Sequence, residues 1–321
     1  MKRRQFVEVL AALLGAPLLA IAQQGRIPRV GFLISETLAD QKTRVDALLA
    51  GLREYGYVEG KNIVIELRPA DGNYDRLPAL AAELAGLKVD VIVAFGAKAG
   101  IAAKGATATV PIVVSSITDP VALGIVDSLP RPGGNITGIS NFSELAAKQL
   151  ELLKQAVPRA VRVGILFNPA NRPRSFGAMR AVAKSSKLEL HWFEAHSPRE
   201  FDAVFAAIAK ARIEAVWVSG DTLFQGHFRE IAVLAQKYRL PASGRLEFAD
   251  AGGLIGYGVD DAGQFRRAAY FVDRILKGAK PDQLPVERAT RIELAINAKT
   301  AKALGIKIPQ SLLVRADRVI E

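Results

Sequence analysis

The chain has 321 residues, room for two domains of ordinary size, and half of them are hydrophobic, enough to bury a substantial core. It contains no cysteine, which excludes disulfides, thiolate metal sites, iron–sulfur clusters and a cysteine nucleophile. The formal net charge of +11 would suit nucleic acid only if basic residues clustered, and they are scattered along the chain.

The first residues read as an export signal. Lys2, Arg3 and Arg4 precede an apolar run from Phe6 to Ile21, and Ala20-Ile21-Ala22 has the small residues a signal peptidase needs. Residues 1–22 are therefore expected to be removed. Arg3-Arg4-Gln5-Phe6-Val7 suits a twin-arginine route as well as general secretion. The run is short for a membrane span and is interrupted by Glu8, so the expected destination is the periplasm. Export also argues against a nucleic-acid partner.

Strands and helices then alternate. Arg29 to Ile34 predicts a strand, and Asp40 to Tyr55 a helix with Val45, Leu48, Leu49 and Leu52 on one face. Asn62 to Arg68 predicts a second strand and Tyr74 to Leu87 a second helix. The unbroken apolar run Val89 to Phe95 suits a parallel strand covered on both faces. Lys98 to Ala106 and Pro111 to Val114 follow as helix and strand. After the turn signal Pro130-Arg131-Pro132-Gly133-Gly134-Asn135 the design starts again. Arg162-Val163-Gly164 repeats Arg29-Val30-Gly31, and Glu214 to Gly220 mirrors Asp90 to Gly96. The reading is an α/β protein of two Rossmann-like lobes, each a parallel sheet flanked by helices. One lobe is expected over 27–138, with 260–284 returning to it. The other is expected over 139–259 together with 285–321.

In open parallel sheets, ligands sit beyond the carboxyl ends of the strands. The candidates there are Ser35 and Glu36, then Gly96, Ala97 and Lys98, then Ser116, Thr118 and Asp119. In the second lobe they are Asn168, Asn171, Asp221 and, in the Gly244-Arg245-Leu246-Glu247 loop, Glu247. Each polar residue could equally cap a helix; Asp221 could bind an ammonium group or serve as an N-cap. Phe95 and Phe224 are expected to line an apolar part of the pocket, and Trp217 to lie in the core. Asp260-Asp261 reads as a helix start favoured by the dipole. No Gly-x-Ser-x-Gly elbow, phosphate loop or dinucleotide turn is present, and the three histidines lack metal-pair spacing, so no cofactor, metal or catalytic residue is expected.

Several segments carry a family resemblance. These are Gly51-Leu52-Arg53-Glu54-Tyr55-Gly56-Tyr57-Val58-Glu59-Gly60-Lys61-Asn62, Asp119-Pro120-Val121, Pro132 to Gly138, Gly252-Gly253-Leu254 and Leu276 to Pro281. Leu284-Pro285-Val286 and Ala303-Leu304-Gly305-Ile306 extend it. Together they resemble the extracytoplasmic ABC-transporter substrate-binding proteins that include tryptophan-binding members. The resemblance implies a type I periplasmic-binding-protein architecture with an interlobe cleft closing by a hinge. It further implies a small polar ligand, an amino acid or related organic acid, a permease partner in the inner membrane, and a monomer. Relatives commonly have Gly-Thr-Pro where this chain has Gly96-Ala97-Lys98, a change expected to favour a more anionic ligand. The alternatives are an exported α/β enzyme or a sensory receptor feeding a signalling kinase.

Overall fold

A computed structural model describes residues 26–142, 144–171 and 176–321; the export-signal segment lies outside the described residues. The first half runs β1 (Arg29–Ile34), α1 (Leu38–Glu54), β2 (Val64–Pro69), α2 (Leu77–Gly86), β3 (Val91–Phe95), α3 (Gly96–Ala106), β4 (Ile112–Thr118) and β5 (Ile136–Asn141). The second half repeats this as α4 (Leu145–Ala156), β6 (Arg162–Phe167), α5 (Phe176–Ser185), β7 (Glu189–Glu194), α6 (Phe201–Lys210) and β8 (Ala215–Val218). It continues with α7 (Thr222–Gly226), α8 (Phe228–Lys237), β9 (Ala242–Gly244), α9 (Leu246–Asp250) and β10 (Ile255–Val259). The chain ends with α10 (Asp261–Leu276), β11 (Glu287–Arg288), β12 (Ile292–Asn297), α11 (Ala298–Leu304), α12 (Gln310–Leu313) and β13 (Arg318–Ile320).

The strands form two sheets. One has the order β11-β5-β4-β3-β1-β2 with every pairing parallel. The other has the order β13-β12-β10-β9-β8-β6-β7, parallel except where β12 runs against β10. The arrangement β2-β1-β3-β4-β5 recurs as β7-β6-β8-β9-β10, so the duplication read in the sequence is a duplication of topology. The chain crosses between sheets after β5, after β10 and after β11.

Buried residues explain the layering. Val30, Phe32 and Ile34 face one side of β1, towards Leu48 and Leu52 of α1, while Leu33 faces the other, towards Leu80, Ala81 and Leu84 of α2. After leaving the second sheet, α10 covers the first with Phe265, whose ring lies 5.6 Å from that of Phe32 and 5.2 Å from that of Phe95. Burying such a ring is worth roughly 2–3 kcal/mol, which makes the returning helix an integral part of that layer. Phe95 and Phe224 are both packed in cores rather than on a pocket wall, Phe224 against Phe201 at 5.8 Å. Phe95 ends a short strand covered on both faces, and Phe224 lies on the buried side of α7.

β4 extends four residues beyond the predicted strand, through Ser115 to Thr118, because a bulge between Val114 and Ile117 lets the pairing with β5 resume. The bulge leaves Ser116 in the left-handed region (φ 57°), and Asp119 just beyond is left-handed too (φ 52°). Two such non-glycine residues at one strand end mark a segment held by its surroundings.

Candidate functional site

A cavity of about 420 Å³ opens between the lobes. Ala97, Thr118, Asp119 and Asn141 reach it from the first sheet, and Asn171, Asp221 and Arg245 from the second. The apolar part of the lining includes Trp217, Phe142 and Leu145. Trp217 is 2% exposed yet lines the cavity. Its indole N–H donates to Gln149 Oε1 (2.8 Å), and Gln149 Nε2 donates to the Tyr257 carbonyl (2.6 Å), which fixes the ring. The core role expected for Trp217 and a wall role coexist.

Beside the cavity the topological switch points of the two lobes meet. The loops after β1 and β3 face those after β6 and β8. Asp221 caps α7 by accepting from the Leu223 N–H (3.1 Å). It also accepts from Asn168 Nδ2 (3.1 Å), Asn171 Nδ2 (2.8 Å) and, across the lobes, Tyr74 Oη (3.0 Å). Tyr74 Oη is also 2.8 Å from Thr222 Oγ1. Burial raises the Asp221 carboxyl, and these donors offset part of that. Burial likewise raises the Tyr74 hydroxyl, helped by Asp221 and Glu36.

Glu36 is buried on the first-lobe side of this contact and accepts from Gln41 Nε2 (2.7 Å). Burial pushes its carboxyl from the ordinary 4.5 up to about 7, with Thr222 and Arg44 restraining the shift and Asp221 adding to it. A folded-state group raised in this way holds a proton that the unfolded chain releases near pH 4.5. Stability is therefore lost as pH rises from about 4.5 to 7, on the order of 3 kcal/mol in total. Glu36→Gln is expected to flatten that slope, with the remainder carried by Asp221 and Glu247, both also raised by burial. Urea unfolding of both proteins at pH 5 and pH 7.5 checks this; parallel profiles would contradict it.

A buried ion network ties the lobes behind the cavity. Asp261, the first residue of α10, accepts from Arg44 Nη2 (3.1 Å) of α1 and from Arg245 Nη2 of the second lobe. Ser116 Oγ donates to the same carboxylate (3.3 Å) and accepts from Asn141 Nδ2 (2.9 Å). Glu247 stands behind Arg245, its Oε2 3.7 Å from Arg245 Nε. The Arg44 guanidinium covers the Phe95 ring at 4.8 Å. Among the described residues, no group of histidines and carboxylates could hold a metal, and no helix is long and apolar enough to cross a membrane.

The family model for ABC transporter substrate binding proteins matches residues 35–320. The chain belongs to that family. ABC substrate-binding proteins work outside the cytoplasm, taking up small molecules for membrane permeases. A tyrosine-binding protein of Clostridioides difficile is 27% identical over 262 residues, 81% of this chain and 75% of that protein. The ABC domain from Streptococcus pneumonia crystallised with L-Trp has a TM-score of 0.83 and 26% identity, covering 92% of this chain and 100% of that one. A conserved domain protein of Vibrio cholerae has a TM-score of 0.84 at 27% identity with the same coverage.

In this substrate-binding protein the predicted site residues divide by position. Ala97, Thr118, Asp119, Asn171 and Asp221 line the cavity. Ser35, Glu36, Gly96 and Asn168 lie where the switch points touch; a Cβ on Gly96 would stand 3.6 Å from the Thr222 methyl. Ser116 and Glu247 belong to the layer behind the wall, and Lys98 is half-buried on the first turn of α3, outside the lining. Among the described residues, the cation lining the cavity is Arg245, alongside the carboxylates of Asp119, Glu144 and Asp221. Arg44, Tyr74, Asn141 and Gln149 were not singled out by sequence reasoning, and Asp261 was read only as a helix start. A signal for burial existed at two of these positions: Asp261 is in phase with the buried stripe Phe265, Ala268 and Val272, and Arg44 with Leu48 and Leu52. A charge on an apolar stripe implies a buried partner.

Proposed function

We propose that this protein is a monomeric, non-catalytic periplasmic receptor, exported through residues 1–22. In this reading it captures an amino acid with a large apolar or aromatic side chain and hands it to an inner-membrane permease. The supporting observation is the mixed lining of the cavity, which combines the rings of Trp217 and Phe142 with the charged groups of Asp119, Asp221 and Arg245. A side chain would pack on the ring wall while Asp221 faces the ammonium group. The tyrosine-binding and L-Trp-bound relatives support the same class. Because lining residues come from both lobes, ligand contacts favour the closed arrangement.

Calorimetric titration with a panel of L-amino acids is expected to show saturable one-to-one binding of at least one large apolar member, with no conversion of the ligand. For a non-fluorescent ligand, binding should alter tryptophan emission. Trp217→Phe should abolish that change and Trp192→Phe retain it, since Trp217 lines the cavity and Trp192 packs on Phe176. Absence of binding across the panel, or turnover, would refute the proposal.

A further inference from the structure

Arg245 lines the cavity with its charge already directed. Nη2 donates to Asp261, and Nε points towards Glu247, while Nη1 makes no hydrogen bond among the described residues. The Arg245 stem lies over Gly220, where a Cβ would stand 2.9 Å from Cδ. The next residue is Asp221, whose Oδ2 accepts, among the described residues, only from Asn171. A guanidinium and a carboxylate therefore flank Gly220 on the cavity wall. A second observation comes from the other lobe. Asn141 lines the same cavity, is 5% exposed, donates to Ser116 Oγ, and leaves its buried Oδ1 with no hydrogen-bond partner. The Asn141–Ser116–Asp261–Arg245 chain thus holds an open acceptor at one end and an open donor at the other.

We infer that Arg245 Nη1 seats the ligand's α-carboxylate while Asn141 Oδ1 and Asp221 receive its ammonium group, making the site selective for a free amino-acid zwitterion. The inference rests on the amino-acid reading above and adds the head-group contacts. Planar guanidinium donors suit carboxylates, and Asp261 prevents the arginine from swinging away. A site built to bond a polar group rejects analogues lacking it, because its own buried groups are then left unpaired. Asp261 and Ser116 are positioning residues, since they act through Arg245 and Asn141.

The test compares L-tryptophan with tryptamine, and L-tyrosine with tyramine, on wild-type protein and Arg245→Gln. Wild-type protein is expected to prefer the amino acid over the amine at least 100-fold. Arg245→Gln should weaken amino-acid binding by 30-fold or more while leaving amine binding unchanged or stronger, so that the preference collapses. If Arg245→Gln does not fold, Arg245→Lys keeps a charge beside Asp261 and is expected to shift the preference in the same direction by tenfold or more. Equal losses for amino acid and amine, or an unchanged preference, would overturn the inference and leave the amino-acid reading standing. Failure of the wild-type protein to bind any amino acid in the panel would remove that reading, and the inference with it.

Discussion

Asp261→Ala is expected to lower the unfolding free energy by about 3–5 kcal/mol at neutral pH, the usual cost of breaking a buried ion pair from one side. The carboxylate is 3% exposed at its side chain and holds two arginines whose side chains are 10% and 12% exposed. Its removal leaves Arg44 with Gln225 and Gln41 as neutral partners and Arg245 with Glu247 at 3.7 Å. Arg245 thus keeps a carboxylate beside it, whereas Arg44 is left with neutral hydrogen-bond partners only among the described residues. Asp261→Asn preserves shape and one acceptor oxygen and is expected to recover part of the loss. The exposed Lys42–Asp46 pair on α1 supplies the contrast: Asp46→Ala should change stability by about 1 kcal/mol at most. Urea unfolding of the three variants beside wild type checks the ordering. An Asp261→Ala protein within about 1 kcal/mol of wild type would show that water or repacking compensates both arginines.

Gly138→Ala is expected to cost about 3 kcal/mol or more and to abolish ligand binding. Gly138 has φ 136°, in the region side chains avoid, and a Cβ there would sit 2.0 Å from the Val114 carbonyl oxygen on the paired strand. That contact is backbone, so no side-chain rotation relieves it. Val114 is also where the β4 bulge begins, which sets Ser116 against Asn141 and Asp261. Spreading β4 from β5 would therefore disturb the head-group seat as well as the sheet. Gly105→Ala in α3 is the control, because nothing lies within 4 Å of the added carbon. It is expected to be neutral or to stabilise by up to about 1 kcal/mol. If Gly138→Ala unfolds like Gly105→Ala and binds as wild type does, the close approach of β4 and β5 is not a constraint in solution.

The parts of this protein legible in its sequence are those carried by local periodicity. Unbroken apolar runs such as Val91–Phe95, within the predicted strand 89–95, suited parallel strands covered on both faces, and the repeated Arg-Val-Gly starts at 29 and 162 pointed to two equivalent sheets. The strand-end loops followed from the alternation, so Thr118, Asp119, Asn171 and Asp221 were named in advance. Their division of labour was not. Asp221 is both cap and interlobe acceptor, a combination visible only once Tyr74, 147 positions away in sequence, is beside it. The Arg245 loop was recognised, yet Glu247 was selected from it, because the turn into α9 decides which side chain faces the cavity.

By itself, the sequence determined the fold class, the doubling of the lobe and the ends of the strands where a ligand would lie, since hydrophobic periodicity is a local property of the chain. Only the tertiary structure decided that the switch points of the lobes meet one another and that the cavity opens beside them. It alone joined Arg44, Asp261 and Arg245 into one network, because these residues come from three distant segments and their pairing is enforced by burial rather than by any pattern along the chain.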